Sequence, residues 1–381
     1  MNPIYNIEEL TAFRRELHQK PELSGFEKQT SAFIKAFVAP LNPDQIIENL
    51  GGCGLALVFK GKEAGKRLLL RADMDALPIT EKSTVEYKSQ NEGVAHLCGH
   101  DGHSTILAGV AMRLAEKRPQ KGEVVLLFQP AEETGEGAEK VIKDPKFTSI
   151  KPDIAFALHN LPGFALKTIV VKKDTFAAAS VGIKIKLNGR TAHASQPETG
   201  KSPASALGEI ISRYIQMAKK WQHSKRFQLL TITHARLGEQ AFGTAPGQAE
   251  CWITIRSFAD EALELMEQEC EEAAREIATK AKLEMEFSRH EPFPATVNDY
   301  QATAMVEKAA LENKLKIHAL ETPFRWSEDF GQFGASSPIA LFGIGSGINQ
   351  PALHNPDFDF PDEIIEAAVD TFEHICRQVC G

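Results

Sequence analysis

With 381 residues, 43% hydrophobic and 25% charged, the chain has the composition of a globular protein and enough length for two domains. A net charge of −8 argues against nucleic acid or an anionic membrane as the main partner, and no apolar run is long enough to span a bilayer. No basic stretch followed by an apolar one opens the chain, and the six cysteines (53, 98, 251, 270, 376 and 380) are scattered. The expectation is a cytoplasmic protein with reduced thiols and no secretory signal.

Asn6 can cap a first helix whose apolar stripe is Leu10, Phe13 and Leu17, with Glu9 at the capping-box position. Strands are expected at Gly54–Phe59 and Arg67–Ala72, the second ending in Asp73-Met74-Asp75. A helix is predicted from about Ser104 to Glu116, then a strand over Glu123–Gln129 that stops at Pro130-Ala131-Glu132-Glu133. A further strand, Asp153–Leu158, ends at His159-Asn160. Strands alternating with helices imply an α/β domain with a mostly parallel sheet and helices on both faces.

The pattern changes near residue 180. Val181 to Asn188 alternates apolar and polar, as a half-exposed strand does. Ser202-Pro203 opens a helix. Strand-like runs follow at Phe227–Thr233 and Glu250–Arg256, then a helix over Asp260–Lys280 and a strand at Leu283–Phe287. This strand-helix-strand-strand-helix-strand order is that of a ferredoxin-like α+β unit. It is expected as an inserted second domain over residues 178–290, splitting the first domain into 1–177 and 291–381. Glu291-Pro292-Phe293-Pro294 marks the return, followed by a helix over Tyr300–Asn313, a strand over Pro338–Phe342 and a closing helix after Pro361-Asp362.

Chemistry concentrates in His96-Leu97-Cys98-Gly99-His100-Asp101-Gly102-His103. Imidazole and thiolate suit zinc and related ions, and carboxylate extends the range to manganese. No second Cys/His pair follows at finger-like spacing, so distant residues must complete the site. Asp73/Asp75, Glu132/Glu133 and His159 all stand just past buried strands, at the edge where open α/β sheets bind ligands. Two adjacent carboxylates can divide labour, one binding metal and the other taking a proton from water, or can form a solvated acidic turn. His159 alone reads better as a satisfied core histidine, and His354, in a loop between prolines, says little by itself. His193 could be an ordinary surface residue. His18, 223, 234, 290, 318 and 374 have no acidic or thiol neighbours in a comparable arrangement and are set aside. Gly343-Ile344-Gly345-Ser346-Gly347 lacks the full dinucleotide spacing and a Walker lysine, and no Gly-x-Ser-x-Gly elbow is present.

Taken together, Arg14-Arg15-Glu16-Leu17-His18 with Pro21-Glu22-Leu23, Arg71 to Pro78, Cys98 to His103, Phe128 to Glu133, Leu158-His159, His193-Ala194-Ser195, Glu328-Asp329-Phe330 and Leu353-His354 resemble the metallopeptidase family of aminoacylases and carboxypeptidase G. The nearest likeness is to its amidohydrolase branch, with auxin-conjugate hydrolases, hippurate hydrolases and N-acetyldiaminopimelate deacetylases. The resemblance implies a catalytic role for the first domain and a lid and dimerisation role for the second. With it come two divalent ions, zinc or manganese first and cobalt or nickel next, held by Cys98, His100, Glu133, His159 and His354. It implies Glu132 as general base, Asp75 behind a ligand imidazole, and His193, from the lid, as a donor to the oxyanion. Asp101 and His103 would support the ligands. Arg256 could face a substrate carboxylate. Many relatives carry Asn-x-Ile-Pro in the lid, whereas this chain has Gly243-Thr244-Ala245-Pro246, without the amide. The implied activity is hydrolysis of N-acyl amino acids or small conjugates by a homodimer joined through the lid, with a dipeptidase as the alternative and a non-catalytic metal-binding protein as the other.

Overall fold

The computed structural model describes residues 4–381 and divides into two compact units. The first holds the chain to Phe176, then Thr296–Thr322 and Glu328–Gly381; the second holds Ala177–Ala295 with Pro323–Ser327.

Unit 1 begins with α1 (Ile7–Gln19), whose N-terminus is capped by Asn6 Oδ1 accepting from the N–H groups of Glu8 and Glu9. Next come α2 (Lys28–Val38), β1 (Gln45–Leu50), β2 (Gly54–Lys60), β3 (Glu63–Asp73), α3 (His100–Glu116), β4 (Lys121–Gln129), α4 (Gly137–Lys143), β5 (Ile154–Pro162) and β6 (Ile169–Val171). β7 (Asp174–Ala177) leads out of this run.

Unit 2 contains β8 (Ala179–Asn188), β9 (Ala192–His193), α5 (Ala204–Gln222), β10 (Gln228–Leu237), β11 (Thr244–Ala245), β12 (Gln248–Ser257), α6 (Asp260–Lys280) and β13 (Glu284–Phe293). The sheet order is β10-β12-β8-β13, with every neighbouring pair antiparallel. Alternate residues of β8 (Val181, Ile183, Ile185, Leu187) and β12 (Ala249, Cys251, Ile253, Ile255) are buried with α5 and α6 in one apolar core, the period of two that a sheet covered on one face requires. β9 and β11 form a separate two-stranded ribbon, with Thr244 opposite His193.

The chain completes unit 1 with β14 (Thr296–Asn298), which pairs with β7, then α7 (Tyr300–Glu312), β15 (Ile317–Ala319), β16 (Ile339–Gly347) and α8 (Ile365–Cys380). Its sheet runs β1-β2-β4-β3-β5-β16-β6-β15. The central pairs β4-β3, β3-β5 and β5-β16 are parallel, whereas β1-β2, β2-β4 and β16-β6 are antiparallel. The fold is therefore mixed α/β on a mostly parallel sheet. The central strands are near-continuous apolar runs because both faces are covered.

Four boundaries differ from the sequence reading. α3 starts at His100 instead of Ser104, because Gly99 at φ 95° turns the chain directly into the helix. A Cβ on Gly99 would also meet Asn160 Oδ1 at 2.4 Å. β5 continues through His159 and Asn160 to Pro162, because β16 pairs alongside it to Gly347. The glycine run 343–347 is thus a strand: a Cβ at Gly343 would meet Leu161 at 2.0 Å, and one at Gly345 the Ala165 carbonyl at 2.0 Å. β13 runs through the expected break at 291–293, absorbing it as a register shift between His290 and Phe293.

Candidate metal centre and active site

Unit 1 brings Asp75, Cys98, His100, Glu132, Glu133, His159 and His354 together at the C-terminal edge of the parallel strands. Asp75 lies just after β3, Glu132-Glu133 in the turn after β4, His159 within β5, Cys98 just before α3, His100 at its first residue and His354 in the loop after β16. His100 Nε2 is 3.8 Å from Glu133 Oε1 and 3.9 Å from Glu132 Oε2. Cys98 Sγ is 3.5 Å from His159 Nε2, and His354 Nε2 is 3.6 Å from Glu133 Oε1. The donor atoms of Cys98, His100 and His159, and those of Cys98, Glu133 and His354, form two sets, each within 4.8 Å, that share the cysteine.

The histidines are oriented from behind. His100 Nδ1 donates to the Asp75 carbonyl oxygen at 2.9 Å and lies 3.3 Å from Asp75 Oδ1, so Nε2 faces the cluster. His159 Nδ1 donates to the Asn160 carbonyl oxygen at 2.9 Å and likewise presents Nε2. Fixing one ring nitrogen so that the other can bind is how metal-ligating imidazoles are held. Asp75 Oδ2 accepts from Ser24 Oγ and from the Glu133 N–H. His103 donates through Nδ1 to Asp73 at 2.6 Å, and its Nε2 stands 2.6 Å from Asn160 Oδ1, with its ring 4.7 Å from that of His159.

The electrostatics call for a cation. Burial works against charge on His100, but Asp73, Asp75 and Glu133 outweigh it and hold the imidazole up at about 10. Burial, with Glu133 and Glu132 beside it, pushes the Cys98 thiol well above the cysteine range. Burial lifts Glu133 to about 7, against the pull of His100. Glu132 stands well above the ordinary carboxyl range through burial and the neighbouring Glu328, Glu133 and Asp329. His100 Nε2 and Glu133 Oε1 are buried without a hydrogen-bond partner. Buried donors of this kind, two imidazoles presenting Nε2, a thiol and a carboxylate, fit divalent zinc or a related ion, whose charge would reverse each of these shifts.

A second buried network lies against Glu132. Arg71, wholly buried, donates to Asp73 (2.6 Å), Glu328 and Asp329 (2.8 Å each) and Gln129 (3.0 Å). Glu132, Glu328 and Asp329 offer carboxylate oxygens within 4.8 Å of one another, but Arg71 already supplies a positive charge there. The sequence reading did not single out Arg71; an arginine inside the apolar run Leu68–Ala72 was the available signal, since such a charge must be paired.

Asp101 turns away from the donor cluster. Its Oδ2 accepts from His18 Nδ1 at 2.8 Å and from Arg14 at 3.3 Å, and Arg14 also reaches Asp359 and Asp362. It therefore braces the first turn of α3 and supports no ligand directly. His18, set aside in the sequence reading, is buried between Asp101 and Glu81. Burial opposes its charge, but Asp101 and Glu81 prevail and hold it at about 9. His96 is buried and belongs to none of the donor sets.

His193 and Arg256 lie in unit 2. His193 is exposed on the β9–β11 ribbon, its Nδ1 2.7 Å from Ser195 Oγ. Arg256, on β12, donates to the Arg325 carbonyl and to Ser327 Oγ. Gly243 joins the same ribbon, its carbonyl accepting from the Ala194 N–H.

The model of the peptidase family M20/M25/M40 matches residues 69–378. A hydrolase of Staphylococcus aureus whose activity is uncharacterized is 30% identical over 97% of this chain and 97% of its own. The YXEP protein of Bacillus subtilis, a dinuclear metal binding peptidase from the M20 family, is 28% identical with a TM-score of 0.81, covering 98% of each chain. An aminohydrolase candidate from methicillin resistant Staphylococcus aureus is 25% identical with a TM-score of 0.86, covering 100% of each.

Proposed function

This chain belongs to the peptidase family M20/M25/M40 and is a metal-dependent hydrolase; from that premise we propose that it is a binuclear amidohydrolase cleaving the amide of N-acyl amino acids or related small conjugates. The observation that carries the reading is the pair of donor sets that share Cys98, with Glu132 beside them, within 4.8 Å of the donor atoms of His100 and Glu133. Cys98, His100, Glu133, His159 and His354 would hold the two ions, with zinc or manganese the best match to thiolate, imidazole and carboxylate. Once bound, the ions would activate a water and polarise the amide carbonyl.

The protein's part follows from its own groups. Glu132 takes a proton from the attacking water as the water oxygen bonds to the carbonyl carbon. It then passes that proton to the amide nitrogen as the C–N bond breaks, releasing a carboxylic acid and a free amino acid. Glu132 is a buried carboxylate beside the donor sets, its Oε2 3.9 Å from His100 Nε2, and a positioned carboxylate of this kind suits the double task. Asp75 fixes His100. His193, in a unit read here as a ferredoxin-like lid, donates to the developing oxyanion, and Arg256 meets the substrate carboxylate. Homodimerisation through the lid is supported by β10, which lies at one end of its sheet with an unpaired edge. A cytoplasmic site of action agrees with six cysteines that are all free.

The test is a hydrolysis screen of metal-reconstituted protein across N-acetyl, N-benzoyl and longer N-acyl amino acids, beside dipeptides. Release of free amino acid from the N-acyl series is expected. Turnover confined to dipeptides would replace the reading with a dipeptidase. Cys98→Ala should lower bound metal per chain by elemental analysis, and unchanged metal content would remove Cys98 from the ligand set.

A further inference from the structure

Ala131, the residue before Glu132, has φ 54°, in the left-handed region that alanine enters only at a cost. Its N–H donates to Glu27 Oε1 at 2.8 Å, across 104 residues of sequence. Glu27 is fully buried just ahead of α2, and the same oxygen accepts from the Gly25 N–H at 2.8 Å. On the far side of Glu132, the Glu133 N–H donates to Asp75 Oδ2, which also accepts from Ser24 Oγ at 2.7 Å. The short segment Ser24–Glu27 therefore grips the backbone on both sides of Glu132, directly at Ala131 and through Asp75 at Glu133. The turn closes on itself as well, since the Gly137 N–H donates to the Ala131 carbonyl at 3.0 Å.

We propose that Glu27 is a positioning residue for Glu132, holding Ala131 in its left-handed conformation so that the Glu132 carboxylate is aimed before substrate arrives. The proposal rests on reading Glu132 as the general base. Oε1 is the atom that accepts both backbone N–H groups, so the role depends on where an acceptor oxygen stands and not on the charge of the carboxylate. A misplacement of about 1 Å at a reacting group can cost roughly a hundredfold in rate.

Two single variants separate position from charge. Glu27→Gln keeps the length and the acceptor oxygen; Glu27→Asp keeps the charge but withdraws the oxygen by one methylene. Steady-state kinetics on an N-acyl amino acid that the enzyme turns over, bound metal per chain, and amide hydrogen exchange across residues 131–134 are measured for both. Glu27→Asp should lower kcat roughly 10- to 100-fold, with KM and metal content close to wild type and faster exchange at Ala131. Glu27→Gln should stay within about threefold of wild type and keep the slow exchange. The proposal is overturned by a Glu27→Asp enzyme with wild-type kcat, by equal losses in the two variants, or by a loss confined to KM or metal content. If Glu27→Asp does not fold, Glu27→Gln decides alone: retained kcat with a protected Ala131 amide supports the role, and a tenfold or larger loss ends it. Glu132→Gln is run beside them. An active Glu132→Gln enzyme removes the functional reading itself, whereas an inactive one beside a normal Glu27→Asp enzyme removes only the role of Glu27.

Discussion

The two regions that carry candidate catalytic groups are built in opposite ways. In unit 1, Glu132, Glu133, His100 and His159 are buried or nearly so, and the Glu133 N–H and the Nδ1 of each histidine are hydrogen-bonded. In unit 2, His193 is exposed on a two-stranded ribbon and bonded to Ser195 two residues away. A buried site of like charges must be held rigidly before any substrate binds, because unpaired groups in low dielectric are expensive. An exposed side chain needs little internal support. The difference teaches that preorganisation belongs to the metal and base region and is absent around His193.

The strongest way to break this contrast is Glu132→Gln. It should lower kcat by roughly 10³- to 10⁴-fold while metal content is kept, as loss of a positioned base does; a near-normal rate would shift the base elsewhere. Arg71→Met comes next. It leaves Asp73, Glu328 and Asp329 buried without their common cation and should cost about 3–5 kcal/mol of stability, read by urea unfolding. A stability within experimental error of wild type would show that the network is not what holds this region. His193→Ala should leave thermal stability unchanged and lower kcat by roughly 10²- to 10³-fold. A large drop in Tm instead would mean the ribbon is structural, and the contrast would fail from the other side.

The smallest effect is a pH dependence. His18 is held at about 9 when folded, above its ordinary 6.5. The folded state therefore binds the proton more tightly, so its contribution is complete below about pH 6.5 and lost as pH rises through 9. The pH-dependent part of the stability difference between wild type and His18→Asn should shrink by up to about 3 kcal/mol over that window. A difference that stays flat across it would mean that His18 is neutral between Asp101 and Glu81.

Much of the α/β architecture was legible because its signals are local. The apolar runs of β3, β4 and β5 announce buried strands, and each leads into acidic or imidazole residues at the C-terminal edge of the parallel strands. Cys98, His100, Glu132, Glu133, His159 and His354 could be named as one set only through the family resemblance of their motifs, since His159 and His354 carry little signal singly. What supports them could not be read in the same way. His18 meets Asp101 across 83 residues, Glu27 meets Ala131 across 104 and Arg71 meets Glu328 across 257. A histidine or glutamate whose partner lies that far off looks like any surface residue until the fold joins them. The start of α3 was missed for a related reason: Gly99 reads as a loop residue, and only the packing of Asn160 against it shows that the helix must begin at His100.

The order of the strands has a consequence for how the protein is made. β16 pairs along β5, yet 176 residues separate Pro162 from Ile339, and the whole of the 177–295 segment lies between. At a synthesis rate of about 5–20 residues per second, the growing chain spends on the order of ten to thirty seconds with β5 complete and its neighbour still unmade. During that interval the outer edge of β5, an apolar strand, is open to pairing with another nascent chain. Expression at lower temperature or with added chaperone should therefore raise the yield of full-length protein more than it would for a chain whose central strands emerge together.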